Sequence, residues 1–259
     1  MPRCFSLSDV WNVYDEWSAY GASSPIILNS GKTVVQYYSP SLSAIQIYTN
    51  DCYVSFRTID GEYVEELESD SSSNYNGSST DQEGSVQTTD QPGYVYIRYS
   101  ETSNPYDRVP LSKKIREFTK THPGLMKLRS VDLSPNSWMA VAWYPSYHIP
   151  AAGTVKELSA CFLTYHMLSS SFRGLQSGIS EEDVMRKRIH AWGLAYGGEI
   201  SLPPFALATY KMYGKLWINP NTPDHQKIVS RQNAAFSWLR QHSFQHHDFN
   251  FFISRSRVA

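Results

Sequence analysis

The stretch SWMAVAWYPSYHIPAAG, Ser137 to Gly153, decides the fold. In an extended chain Trp138, Ala140 and Ala142 point to one side, and Met139, Val141 and Trp143 to the other. Both sides are apolar, as expected of a central strand covered on two faces. Pro145 and Pro150 each remove a backbone donor. A central strand does not run on through them, so the sequence predicts a stiff excursion carrying Tyr144, Tyr147 and His148. Those three are the candidate binding residues.

Working outward, residues 159–168 (SACFLTYHML) and 93–101 (GYVYIRYSE) read as strands. Residues 25–29, 33–39 and 43–49 read as two or three more, with a hairpin turn at NSGK and a break at SPSL. Alternation in the last is imperfect, because Ser43 and Gln46 interrupt Ala44, Ile45 and Ile47. Residues 204–219 suggest a hairpin or bent strand, and HDFNFFIS (247–254) an edge strand.

The predicted helices begin with one that Ser8 caps, that carries Val10, Tyr14 and Trp17 at helical spacing, and that Gly21 stops. A second starts at Pro110, carries Leu111, Ile115 and Phe118, and ends at Pro123-Gly124. A third is expected over residues 180–192. The last covers residues 222–243, with Ile228, Ala235, Phe236 and Leu239 on one side. Strands cluster around helices without regular alternation. This predicts an α+β domain spanning 1–259, a mostly antiparallel sheet with helices packed on one side of it.

One segment departs from this pattern. Residues Glu65 to Pro92 (EELESDSSSNYNGSSTDQEGSVQTTDQP) are acidic and serine-rich, with Leu67, Val86 and Tyr75 the sparse apolar side chains. Such a composition buries too little to offset the entropy of ordering, so it predicts a disordered insertion within the domain. Ser78 and Thr80, each with an acid three residues on, are its candidate phosphorylation sites.

Composition limits the function. The chain has 23 basic and 24 acidic residues, a net charge of −1, which gives no general pull toward nucleic acid. Three cysteines without a CxxC spacing point to a reducing compartment, the cytoplasm or nucleus. No apolar run is long enough for a membrane-spanning helix.

No signature of a nucleophile elbow, zinc protease or dinucleotide site is present, and SGKT lacks the earlier glycine that a phosphate loop needs. No cofactor is implied. His242, His246 and Asp248 in HSFQHHDF are the candidate metal ligands, on the ground that two histidines four apart share a helical face. A helix terminus accounts for those histidines better, and no metal is assigned. Cys161 and His166, five apart on one strand, face opposite ways, so they do not form a dyad. His148 and His166 approach one another if their strands pair. A pocket there, with Tyr147, supplies the candidate catalytic residues of a hydrolase or transferase. The leading expectation is instead a non-enzymatic protein-binding or adaptor domain with a protein partner, its 14% aromatic content suited to wet interfaces.

The segments YDEWSAYGASSPIILN, VVQYYSPSLSAIQIY, LRSVDLSPNSWMAVAWYPSYHIP, ACFLTYHML, ALATYKMYGKLW and HDFNFF together resemble the plant domain-of-unknown-function 789 family. The resemblance runs from about Trp11 to Ile253. It implies an intracellular plant protein with no assigned activity or catalytic residues. It also implies a longer N-terminal segment, where ten residues precede Trp11 here, and an acidic serine-rich insertion at the position of Glu65–Pro92.

Overall fold

The computed structural model describes residues 4–27, 33–47, 54–59, 62–67, 95–146, 160–170, 202–211 and 223–256. Strand β6, Trp138–Ser146, is the centre of the fold, and its residues divide as the apolar alternation requires. Met139, Val141 and Trp143 enter one core, and Trp138, Ala140 and Ala142 enter another. β2 (Thr33–Ile47) and β7 (Ala160–Met167) pair antiparallel on either side of it. β8 (Pro204–Lys211) follows β7 antiparallel. On the outer edge of β2, β1 (Ala22–Ile27) and β5 (Ile97–Ser100) occupy successive stretches, β1 opposite Thr33–Tyr38 and β5 opposite Ala44–Ile47. The result is a six-stranded antiparallel sheet. β3 (Val54–Ile59) and β4 (Glu62–Leu67) form a separate two-stranded ribbon.

Helices cover both faces, not one. α1 (Leu7–Tyr20) and α2 (Leu111–Thr121) bury Leu7, Val10, Trp11, Tyr14, Leu111 and Ile115 in the core that receives Trp143. α3 (Pro223–Gln241) and α4 (His247–Arg255) bury Ala235, Trp238, Leu239, Phe249 and Phe252 in the core that receives Trp138. The two-faced apolar pattern of β6 already required this, since each face of a central strand must be kept from water.

Several boundaries move for local reasons. Residues 33–47 are one continuous strand with no break at SPSL. The register between β2 and β6 instead shifts between Leu42 and Ala44, which makes Ser43 a β-bulge. A bulge places two successive residues on one face. Ser43 and Ala44 therefore face α3 and α4 together, and the broken alternation in the sequence is explained. β6 also runs through Pro145 to Ser146, opposite β2. Among the described residues its pairing with β7 ends at Trp143, and Pro145 has no partner strand on that side, so a missing donor is tolerated there.

Ser6, not Ser8, caps α1, accepting from the Ser8 amide at 3.2 Å. HDFNFF forms helix α4, not a strand: Ser243 takes φ 45° and ends α3, and the chain then re-enters a helix at His247. On α3, Phe236 is exposed while Trp238 takes the expected core position. Residues Glu65–Leu67 complete β4. The rest of the acidic run, the NSGK turn, the helix expected at 180–192 and the chain beyond Lys211 in the 204–219 segment lie outside the described residues.

Gly21 ends α1 as expected, with φ 79° and ψ 147°, a conformation open almost only to glycine. An added Cβ would also sit 3.3 Å from the Tyr37 Cβ. Gly21→Ala is expected to destabilise by about 1–3 kcal/mol, read as a lower urea midpoint at unchanged slope.

Candidate functional site

The bulge at Ser43 is the floor of the most concentrated polar cluster among the described residues. Ser43, Tyr165 on β7, and His246 and Asp248 at the start of α4 are all buried. Arg108, just before α2, reaches in from the edge, with its side chain 3% exposed.

The Ser43 hydroxyl donates to Asp248 Oδ2 at 2.5 Å. That uses its only hydrogen. The 2.8 Å contact between Ser43 Oγ and His246 Nε2 is then an imidazole N–H donating to the hydroxyl. The other ring nitrogen, Nδ1, accepts from the Tyr165 hydroxyl at 2.8 Å. Arg108 closes the chain with a two-pronged grip on Asp248, Nη1 to Oδ2 and Nη2 to Oδ1, both at 2.6 Å. Such forked pairs are the strong form of the arginine–carboxylate contact. Nε and Nη2 of the same arginine donate to the Ser103 carbonyl at 3.1 and 2.9 Å. Burial lowers His246 to about 4, against the opposing pull of Asp248. It also pushes Tyr165 well above the ordinary phenol range.

A serine, a histidine and an aspartate therefore meet, but with the polarity of a catalytic triad reversed. Nucleophilic catalysis needs the serine proton to pass to a histidine whose second nitrogen is held by the carboxylate. Here the serine proton points to the carboxylate, the histidine donates to the serine, and a tyrosine holds the second nitrogen. Every group already has its partner, and the cluster joins β2, β7, α4 and the segment before α2.

Next to it lies a second satisfied carboxylate. Burial alone would raise Glu101, but the Tyr99 hydroxyl at 2.6 Å, Ser103 and the Thr102 amide, the last two at 2.9 Å, carry it down to about 2.

The sequence candidates are distributed as follows. Tyr144 lies at this cluster's edge, its ring under the Arg108 guanidinium at 5.8 Å and its hydroxyl 3.3 Å from Nη1. Tyr147 and His148, like Ser78 and Thr80, lie outside the described residues. His166 is fully buried on the other face of β7. Its Nδ1 donates to the Leu202 carbonyl at 2.8 Å, and its Nε2 accepts from the Thr164 hydroxyl at 2.8 Å. Thr164 in turn accepts from Trp143 Nε1 at 2.8 Å. Burial lowers His166 to about 4, so it is a neutral core imidazole.

Cys161 faces the opposite core, as its spacing from His166 requires, and burial pushes its thiol up to about 12. His242 and His246 do not share a helical face. The turn at Ser243 intervenes, and the His242 ring packs tilted against Trp238, centroids 4.1 Å apart, while His246 turns to Ser43. Among the described residues no three His, Cys, Asp or Glu side chains are grouped to hold a metal ion.

Sequence reasoning flagged His246 and Asp248 for a different chemistry and missed Ser43, Arg108 and Tyr165. The one available signal was Ser43 breaking the strand alternation.

A family model described as "Protein of unknown function (DUF789)" matches residues 1–252. The chain belongs to the DUF789 family. The match covers nearly the whole chain, including β6 and the Ser43–His246–Asp248 cluster. No curated protein matches it, and no solved structure does.

Proposed function

We propose that this DUF789 protein is a non-catalytic protein-binding or adaptor module working inside plant cells, in the cytoplasm or nucleus. One observation carries the reading. Among the described residues, the side chains best suited to chemistry are committed to one another in a buried network that fastens α4 and the segment before α2 to the sheet. The same holds for His166, whose two nitrogens are both used within the core. The free thiols of Cys4 and Cys161 suit a reducing compartment. Among the described residues no helix is long and apolar enough to cross a membrane.

The test is purification of the tagged protein from plant cells, followed by reconstitution of each candidate complex from purified components. A stoichiometric complex that is weakened by Tyr147→Phe combined with His148→Ala is the expected result. The hydrolase or transferase reading gains instead if that double variant folds normally, keeps its partners, and still reproduces the loss of the whole protein in the plant.

A further inference from the structure

A kinase that selects for proline takes a hydroxyl placed directly before a residue with no backbone N–H to donate. Four such steps occur in this chain, at Ser24, Ser39, Ser134 and Thr222, the last outside the described residues. Ser24 and Ser39 are locked into the sheet. Ser24 is buried in β1, with Gln36 of β2 opposite it. Ser39 lies within β2, where Tyr144 of β6 is its partner and its hydroxyl bonds to that of Ser146. Phosphoryl transfer needs the hydroxyl in line with the γ-phosphorus of ATP, and backbone paired in a ladder does not move there.

Ser134 stands in a different setting. It lies between the 3-10 turn Pro123–Met126 and β6, as the first residue of a four-residue turn. The Ser137 amide closes that turn by donating to the Ser134 carbonyl at 3.0 Å. Serine first and proline second is the order such a turn favours. Pro135 and Asn136 are both exposed, and Ser134 is half-buried. The Ser134 hydroxyl oxygen accepts from the Asn136 amide at a long 3.4 Å. One weak contact and one backbone bond therefore hold the residue in its turn.

The surroundings also suit an incoming phosphate. Asp132, the acid nearest in sequence, accepts from the Arg129 amide at 2.9 Å and from Nε and Nη2 of the same arginine at 3.1 and 3.0 Å. Its charge is matched, so it does not repel ATP. The flanks of the turn are fixed. Leu133 is fully buried, and its carbonyl accepts from the Ser169 hydroxyl at 2.8 Å. The Ser137 carbonyl accepts from the Leu168 amide at 2.9 Å.

We infer that Ser134 is a phosphorylation site for a proline-directed serine/threonine kinase. The Ser134 oxygen attacks the γ-phosphorus of ATP. An O–P bond forms, the bond to the ADP oxygen breaks, and the hydroxyl proton passes to the catalytic carboxylate of the kinase. The phosphate adds about −1.5 to −2 charges and offers stronger acceptors to the Asn136 amide. Because Leu133 and Ser137 stay anchored, it marks the surface without opening the fold. The inference stands apart from the binding-module reading, since it concerns one hydroxyl and one class of enzyme.

Incubating the full-length protein with a purified kinase of the mitogen-activated class and Mg-ATP, then mapping phosphate by peptide mass spectrometry, tests it. The expected result is phosphate on Ser134, formed about tenfold or more slowly in Pro135→Ala, which keeps the hydroxyl and removes the recognised residue. Phosphorylation and Pro135→Ala should each move Tm by less than about 2 °C. Phosphate absent from Ser134, or added equally to Ser24 and Ser39, would overturn the inference. A rate unchanged in Pro135→Ala, or a phosphorylated protein that melts well below the unmodified one, would do the same.

Discussion

Asp248→Ala should destabilise the protein by about 3–5 kcal/mol, the range for removing one partner of a buried ion pair. The loss would leave the Arg108 guanidinium without its counter-ion and take from the Ser43 hydroxyl the carboxylate it donates to. For a chain of this size each kcal/mol corresponds to about 2–4 °C, so Tm should fall by about 6–20 °C. Arg129→Ala, which removes an exposed, solvent-screened pair with Asp132, should cost far less. Arg108→Met combined with Asp248→Leu should recover much of the loss, because hydrophobic groups of similar volume replace a buried pair without leaving a bare charge. Thermal and urea unfolding of the three variants beside the wild type checks the order. If Asp248→Ala costs no more than Arg129→Ala, the cluster does not hold α4 in place.

The second large effect is acid sensitivity. His166 and His246 are buried as neutral rings, each lowered to about 4 from an ordinary value of 6.5. The unfolded chain therefore takes up two protons before the folded one does. Their contribution to stability is complete above about pH 6.5 and is lost as the pH falls toward 4. Each histidine adds a slope of up to about 1.4 kcal/mol per pH unit, so the pair gives up to about 2.7. Glu101, carried down to about 2 in the folded state, extends the loss below pH 4.5. Urea unfolding between about pH 7.5 and 4.5 measures the slope. His246→Gln keeps an N–H for Ser43 and removes one titration, so it should lower the slope by about half. An unchanged slope in that variant would show that His246 is not buried neutral.

How much of this was legible in the sequence depended on whether local pattern or distant contact decided it. β6 was readable because its six apolar residues, Trp138 to Trp143, state their own two faces. α1, α2 and the stop at Gly21 were readable because caps and helical spacing act within a few residues. The conversion of residues 247–254 from a strand to a helix was not. FNFF has no clear period, and the deciding event is a backbone turn at Ser243. The polar cluster was the least legible. Ser43 meets His246 across 203 residues and Asp248 across 205, and Arg108 meets Asp248 across 140. No local signal joins them, and HSFQHHDF therefore suggested a metal site. Only the bulge that brings Ser43 to the same face as Ala44 reveals why a serine interrupts that strand.

The central claim is that Ser43, His246 and Asp248 fasten the fold and do not form a nucleophile. Exposing the folded protein to a serine-reactive fluorophosphonate, then locating any adduct by mass spectrometry, tests it most directly. No adduct is expected at Ser43, since its hydroxyl is fully buried and its proton is held by Asp248. An adduct at Ser43 that disappears in His246→Ala would contradict it.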